Sequence, residues 1–340
     1  LEFRRVLFRS VHIGSDKEEI VKTVVPANWG KFLRYNYLKV DFSEVKEPGL
    51  YQIKYGDSVS PIFRIDENVY DRGVWQPVLE YFLPVQMCHM RVNEKYRVWH
   101  DTCHMDDARM APAHNHIDGY DQKPGLSKYS AGDLVPGVNI GGWHDAGDFD
   151  LRVESQAGEA YILSLAYEAF HPEIDVTSID YINRVTEIHQ ADGKNDLLQQ
   201  VENGALSVVN SYLALGRLYR GIICGGLRQY VLLGDAAAMT DGKLGNEDDR
   251  WIFTEENPNR ELSTAANLAA ASRVLKGFND TLSVHCLNIA REIFQRTEGD
   301  NSRIASSKIQ AAVELYLATN EDLYKDFLLD NKELIVKQIG

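Results

Sequence analysis

The sequence predicts two unlike parts, a partial all-β sandwich followed by an all-α domain. Before about residue 66, aromatic and β-branched residues alternate with polar ones, which is typical of strands. After residue 151, apolar residues recur at the i, i+3, i+4 spacing of amphipathic helices. A length of 340 residues leaves room for one large domain or for two unequal ones.

The first part, residues 11–66, contains four strand signals separated by turns. In "LYQIKYG" at 50–56, Tyr51, Ile53 and Tyr55 alternate with glutamine and lysine, so we expect one buried face and one hydrated face. This part is about half as long as the ~100 residues of a complete immunoglobulin-like domain. We therefore expect a partial immunoglobulin-like sandwich that lacks its first strands. The predicted strands are 20–25, 32–42, 49–56 and 60–66.

The first ten residues, "LEFRRVLFRS", raise a separate question. One DNA sequence that encodes them looks like a common sequencing adaptor, so we interpret residues 1–10 as an artefact and exclude them from the fold. We expect the native start of the chain to be missing, which leaves the presence of an export signal open. Resequencing the source DNA tests this hypothesis.

The second part, residues 70–340, is predicted to be helical. The helical period begins near Trp75, and the Pro172 that follows His171 ends one helix because proline cannot continue the hydrogen-bond ladder. The alanines of "STAANLAAASRVL" allow close approach of neighbouring helices. The predicted helices are 151–170, 204–222, 261–277, 281–296 and 303–319.

Composition and charge exclude several classes of partner. A formal net charge of −14 repels a phosphate backbone, so nucleic acid is excluded, whereas a neutral polysaccharide is indifferent to that charge. No stretch of about 18 apolar residues predicts a membrane span.

The densest chemistry lies in "GGWHDAGDFD" at 141–150, where Asp145, Asp148 and Asp150 are crowded together. Ala146 and Gly147 let the chain turn tightly, so two carboxylates could share one water molecule. Glycoside hydrolysis needs such groups, with Asp148 as a general base and Asp145 orienting the same water. Two alternatives stay open on the motif alone: a structural turn rich in aspartate, and a calcium loop.

This stretch resembles the GGWxDAGD hallmark of glycoside hydrolase family 9, the inverting endoglucanase family. Further segments in the same order are similar to that family: "YFLPVQMC", "WHDTCHMDDA" and "STAANLAAASRVL". The segment "GLYQIKYGDSVSPIFRID" resembles the last strands of the immunoglobulin-like domain that precedes some members. The resemblance implies an (α/α)6 barrel of twelve helices that acts on β-1,4-linked glucan or a related β-glucan.

The resemblance also implies catalytic roles. Asp148 would be the general base and Asp145 its partner on the nucleophilic water. The family's catalytic acid is a glutamate late in the barrel, preceded by a segment with histidine and arginine, and neither is found in this sequence. Glu292, Glu314 and Glu333 lie on helical patterns and are interpreted as solvated. We therefore expect an incomplete barrel, truncated at both ends, that lacks the acid and hydrolyses little or nothing.

Two cysteines suggest a metal site. Cys88 and Cys103 lie near several histidines, so a tetrahedral Cys2His2 zinc site and a disulfide between the two cysteines are both open. The resemblance implies a structural zinc held by Cys88, Cys103, His104 and His144. Three other histidines are alternatives to His144: His100, His114 and His116. The other two cysteines are interpreted as small buried residues: Cys224 and Cys286.

Three aromatic residues are the predicted sugar platforms. Trp143 and Tyr120 lie near the acidic residues and Trp251 lies in a polar segment, although each could instead be a core residue. Two rival functions are a carbohydrate-binding protein without catalysis and a module that holds calcium on its aspartates. We expect the protein to be secreted, periplasmic or on the cell surface.

Overall fold

The structure is a computed structural model that divides into two compact units, residues 1–77 and 78–340. The described residues are 8–13, 17–113, 116–117, 119–145, 149–224, 243, 249–299 and 301–339.

The first unit is all antiparallel β-structure. A five-stranded sheet has the order β2-β1-β5-β6, with β7 also paired to β5, while β3 and β4 form a separate hairpin. Tyr51 on β5 is buried, and its hydroxyl donates a hydrogen bond of 2.7 Å to the Glu47 carbonyl. The strands are β1 (Phe8–Ile13), β2 (Glu18–Val24), β3 (Ala27–Phe32), β4 (Tyr35–Lys39), β5 (Gly49–Tyr55), β6 (Ser58–Val59) and β7 (Phe63–Ile65).

Two sequence-based expectations concern this unit. The single strand predicted over 32–42 is wrong, because the chain turns at Leu33, whose φ is 52°, and separates β3 from β4. Residues 8–10, inside the segment interpreted as an artefact, belong to β1 and pair with both β2 and β5. The interpretation of residues 1–10 stays a prediction.

The second unit contains the helices. A π-helical segment, Val78–Phe82, leads into the first α-helix, and α4 then packs against α2, α5 and α6. The alanines of α4 are buried, which agrees with the predicted close approach of neighbouring helices. No helix among the described residues is long and apolar enough to cross a membrane. The helices are α1 (Leu83–Gln86), α2 (Val153–Phe170), α3 (Asp196–Leu215), α4 (Pro258–Leu275), α5 (Asp280–Arg296), α6 (Ser302–Thr319), α7 (Asp322–Asp330) and α8 (Lys332–Ile339).

The helix predicted over 204–222 is displaced. Helix α3 begins eight residues earlier, because the Asn195 side chain caps it by accepting hydrogen bonds from the Leu197 and Leu198 amides. It ends at Leu215 and is capped by Gly216, whose φ of 73° lies in the left-handed region that favours glycine. The β-branched residues that follow belong to a buried strand, Tyr219–Cys224.

The second unit is therefore not purely helical. Short strands form two four-stranded sheets, β10-β17-β16-β13 and β14-β15-β8-β9, and a small hairpin of β11 and β12. The strands are β8 (Arg91–Glu94), β9 (Arg97–His100), β10 (Arg109–Met110), β11 (His116–Ile117), β12 (Tyr120–Asp121), β13 (Leu151–Arg152), β14 (Thr177–Asp180), β15 (Val185–Ile188), β16 (Tyr219–Cys224) and β17 (Arg250–Thr254).

Candidate functional site

Four sulfur and nitrogen donors meet in the interior of the second unit. Cys88 follows α1, Cys103 and His104 follow β9, and His144 comes from the GGWHDAGD stretch. All four residues are buried, and one donor atom from each lies within 4.8 Å of the others. The structure thus brings together the four residues predicted to hold a metal.

The donor spacing fits a tetrahedral metal ion. Cys88 Sγ lies 3.9 Å from Cys103 Sγ and 3.7 Å from His104 Nδ1, and Cys103 Sγ lies 3.5 Å from His144 Nε2. Zinc bonds of ~2.3 Å to sulfur and ~2.0–2.1 Å to nitrogen place tetrahedral donors ~3.3–3.8 Å apart. The sulfur separation is far longer than the ~2.05 Å of a disulfide, and both cysteines are free.

The electrostatic environment favours the metal-binding forms of two donors. Burial and the positive charge of Arg250 lower the pKa of His104 to about 4, so its imidazole is neutral at physiological pH. Burial alone would raise the pKa of Cys88, but a hydrogen bond from Cys103 and the charge of Arg250 lower it well below its usual range. A thiolate and a neutral imidazole are the forms that bind a metal.

Local backbone pairing explains why Cys88 and His144 meet. Met87 and Trp143 form an isolated antiparallel bridge. On either side of it, the Cys88 amide donates to the Gly142 carbonyl at 2.9 Å and the His144 amide donates to the Gln86 carbonyl at 2.8 Å. This pairing sets the two donors side by side, although they are far apart in the sequence.

Among the alternative histidines, the structure describes the side chain of His100 alone, and it does not replace His144. His100 is buried nearby, but its Nδ1 and Nε2 lie 2.9 Å and 3.0 Å from the carbonyl oxygens of Asp101 and Val85. Both ring nitrogens are therefore engaged. His114 and the side chain of His116 lie outside the described residues. Cys224 and Cys286 belong to the hydrophobic core, as predicted.

Trp143 is a core residue, which corrects its prediction as a sugar platform. The side chain is 2% exposed, and its Nε1 donates to Gln200 Oε1 at 2.8 Å. Its backbone amide donates to Gln156 Oε1 at 2.8 Å, and its carbonyl accepts from Gln156 Nε2 at 2.9 Å. The indole lies against Gly204 on α3, where a sugar cannot reach it. Trp143 therefore anchors the GGWHDAGD stretch.

The first glycine of that stretch is required by the same packing. Gly141 has a φ of 75°, and a Cβ atom placed on it would lie 2.5 Å from the Asn203 carbonyl oxygen. A side chain at this position would push the stretch away from α3.

The other two predicted platforms differ from each other. Tyr120 is only 5% exposed, with the guanidinium carbons of Arg220 and Arg152 lying 4.8 Å and 5.8 Å from its ring centre. It is therefore part of the packed interior, which corrects its assignment to substrate binding. Trp251 on β17 is half-buried, with Arg109 over its ring, and its role in binding sugar stays a prediction.

The two described ends of the acidic stretch, Asp145 and Asp150, contact each other and an arginine. The Asp145 amide donates to the Asp150 carbonyl at 3.0 Å, and Asp145 Oδ2 lies 3.0 Å from Arg152 Nε. Asp150 is buried, its Oδ1 accepts from the Cys224 amide at 3.1 Å, and its Oδ2 is 4.0 Å from Arg152 Nη2. Asp148 lies outside the described residues. The guanidinium of Arg152 already supplies a positive charge beside both carboxylates and would repel a Ca²⁺ ion there. This argues against the calcium alternative.

Sequence reasoning missed several charged residues around this loop. Partial burial and the negative charge of Asp145 raise the pKa of Glu159, on α2, to about 7, so this carboxyl group keeps its proton close to neutral pH. Asp107 and His89 form a buried pair at 2.7 Å, and Arg250 bonds to the same carboxylate. The only signal in the sequence was that Asp107 belongs to "WHDTCHMDDA", one of the segments that resemble the family.

The three C-terminal glutamates were expected to be solvated, and for Glu314 this is wrong. Its side chain is only 7% exposed, with an oxygen 2.8 Å from Arg273 Nη1. Its other oxygen accepts a hydrogen bond of 2.9 Å from the Tyr161 hydroxyl. Glu292 and Glu333 are exposed, as predicted.

Comparison with known proteins gives one family and a consistent group of structures. The model of glycosyl hydrolase family 9 matches residues 78–338. Endoglucanase D of Acetivibrio thermocellus is 21% identical over 272 residues, which cover 79% of this chain and 38% of that protein. The chain thus spans less than half the length of this curated relative.

Solved structures show the same fold. The Zn-binding triple mutant of the GH family 9 endoglucanase J30 is 22% identical, with a TM-score of 0.70 over 97% of this chain and 60% of that chain. The GH9 structure from Bacteroides ovatus is 16% identical, with a TM-score of 0.64 over 96% of this chain and 60% of that one. This likeness confirms the predicted fold class, an incomplete (α/α)6 barrel preceded by a partial immunoglobulin-like sandwich.

Proposed function

This chain belongs to glycosyl hydrolase family 9, and on that premise we propose that it carries the water-activating half of a glycosidase site. The substrate is a β-1,4-linked glucan or a related β-glucan, hydrolysed with inversion at the anomeric carbon. The observation that supports this proposal is the position of Asp145. Asp145 directly follows His144, one of the four buried residues of the candidate metal site (hereafter the metal cluster). It pairs with Arg152 and lies in the same short stretch as Asp148.

In this proposal the two aspartates act on one water molecule. Asp148 accepts a proton from the water as it attacks the anomeric carbon, and Asp145 accepts a second hydrogen bond that orients it. Inverting enzymes hold base and acid ~6.5–9.5 Å apart, so we propose that Asp145 and Asp148, only three positions apart in the sequence, do not serve as each other's acid. We propose that the proton donor comes from a different segment of the protein than the acidic stretch.

The metal in this proposal is a structural zinc ion. Cys88, Cys103, His104 and His144 would hold it, which fills all four positions of a tetrahedral site and leaves none for substrate. Zinc would supply a rigid cross-link and no step of the reaction. Because His144 precedes Asp145, the cross-link would fix the start of the acidic loop.

The first test is hydrolysis of soluble β-glucan. We expect little release of reducing ends by the 340-residue chain, and turnover by a gene product of the relatives' full length. In that longer product, Asp148→Asn should lower kcat by about 10²- to 10⁴-fold, which is what general base catalysis contributes. Asp322→Asn is the matched control, because Asp322 is an exposed aspartate on α7 whose side chain is 83% accessible.

The stereochemistry separates this mechanism from its rivals. Proton NMR of the first product should show the α-anomer released from a β-linkage. Near-wild-type turnover by Asp148→Asn would dismiss the assignment of the base. Binding of β-glucan by the longer product without any hydrolysis would instead favour a carbohydrate-binding protein.

We also propose that the protein acts outside the cytoplasm: secreted, periplasmic or on the cell surface. The support is chemical, since a polymeric glucan cannot enter a cell intact. Fractionation of cells that produce the protein, followed by immunodetection, tests this location.

A further inference from the structure

Arg250, the first residue of β17, has a fully buried guanidinium. Its side chain is 0% exposed. Burying an unpaired cation costs several kcal/mol, and a guanidinium remains charged at any physiological pH. Such a group persists in a core only where other groups offset its charge and accept its hydrogen bonds.

Three different structures accept hydrogen bonds from this one side chain. Arg250 Nε donates to Asp107 Oδ1 at 3.0 Å, and Nη2 donates to the other oxygen of the same carboxylate. Nη2 also lies 3.2 Å from Cys88 Sγ, one of the four metal donors. Nη1 donates to the backbone carbonyl of Phe149, the residue that directly follows Asp148.

Phe149 also contacts two of the four predicted metal donors through its ring. Its ring centre lies 5.0 Å from that of His144 and 5.7 Å from that of His104. The next residue, Asp150, accepts the hydrogen bond from the Cys224 amide at 3.1 Å. Phe149 and Asp150 are therefore held in place by Arg250, by the imidazoles of His104 and His144 and by strand β16.

We propose that Arg250 is a positioning residue that couples the four-residue metal cluster to the acidic loop. Its planar fork reaches the Cys88 sulfur, the Asp107 carboxylate and the Phe149 carbonyl at the same time, which the single ammonium group of lysine cannot do. Loading of the metal fixes the sulfur, and the guanidinium transmits that order to the chain beside Asp148. The consequence for catalysis rests on the proposed function, whereas the coupling itself does not.

The test uses the full 340-residue chain and Arg250→Lys. Hydrogen bonds to the residues that bind a metal typically contribute 10- to 100-fold to metal affinity. The affinity of the variant for Zn²⁺, measured by competition with a chelator, should therefore be at least ~10-fold lower. With Co²⁺ bound, loss of the N–H···S contact should shift the sulfur-to-cobalt absorption band. Hydrogen exchange of the peptide covering 141–151 should slow on Zn²⁺ loading in the wild type, but much less in the variant.

Controls separate coupling from a general loss of stability. Arg273→Met removes another largely buried, ion-paired arginine, 13% exposed and outside the cluster, and should leave the cobalt band and the loop protection unchanged. If Arg250→Lys unfolds, Arg250→Met combined with Asp107→Asn removes both charges and should fold, with the same altered band and the same lost protection.

An unshifted cobalt band together with wild-type loop protection in the Arg250 variants would overturn the coupling. None of these measurements requires hydrolysis. Failure of the coupling and failure of the proposed glycosidase activity are therefore distinguishable.

Discussion

Replacing Gly204 by alanine tests the packing that holds Trp143, and with it the acidic stretch, against helix α3. A Cβ atom on Gly204 would lie 2.5 Å from Trp143 Cζ3 and 2.6 Å from Cη2. It would also lie 2.9 Å from the backbone carbonyl oxygen of Gln156. The indole cannot swing aside easily, because its Nε1 is hydrogen-bonded to Gln200 and its backbone is bonded to the Gln156 side chain.

The expected magnitude follows from two opposing effects. Alanine in a helix interior is more favourable than glycine by about 1 kcal/mol. An extra methyl group in a well-packed core costs about 1–3 kcal/mol, and contacts this short with a rigid ring and a backbone oxygen place the cost at or above about 3 kcal/mol. The free energy of unfolding should therefore fall by about 2 kcal/mol or more. For a unit of this size that corresponds to a Tm lower by about 4–8 °C.

Gly158→Ala is the matched control. Gly158 lies inside α2, and no heavy atom lies within 4 Å of the position that its Cβ would occupy. Here only the helix propensity changes, so stability should rise by about 0.5–1 kcal/mol. The two substitutions are chemically identical and should shift the Tm in opposite directions.

The assay is differential scanning calorimetry of both variants with metal bound, followed by the rate of Zn²⁺ extraction by a chelator. We expect faster extraction from Gly204→Ala alone, because displacement of Trp143 moves the adjacent donor His144. A Tm for Gly204→Ala at or above that of the wild type would refute the tight packing of Trp143, and would reopen a surface role for its indole.

Three further predictions test the metal cluster, its pH dependence and the buried glutamate. Cys103→Ala should abolish stoichiometric Zn²⁺ binding measured by elemental analysis, whereas Cys286→Ala, which removes another buried sulfur, should leave it unchanged. In the metal-free protein the pKa of His104 is about 4 against ~6.5 unfolded, so the unfolded chain binds the extra proton between these values. Urea denaturation should show up to about 3 kcal/mol of stability lost as pH falls through this window, a loss that His104→Gln should remove. Glu314→Gln should cost about 1–3 kcal/mol because it disrupts a buried ion pair, whereas Glu292→Gln at an exposed position should stay within about 0.5 kcal/mol.

Local patterns anticipated much of the helical part and missed its boundaries. The predicted helix 281–296 is found as Asp280–Arg296, since its apolar period and its cap lie within a few consecutive residues. The helix predicted over 204–222 overran into a strand, because buried β-branched residues look alike in a helix and in a central strand. Only pairing with distant segments decides between the two.

Residue chemistry alone indicated a zinc site or a disulfide at Cys88 and Cys103, and catalysis, a turn or calcium binding at the acidic stretch. The full set of four donors was implied only by the family resemblance. The sequence left open which groups are buried, and burial decides their roles. Trp143 became an anchor and Glu314 an interior ion pair because of segments far away in the chain. Arg250 is the clearest case. It contacts Asp107 across 143 positions of sequence, and the two charges become a buried ion pair only because folding removes water from both.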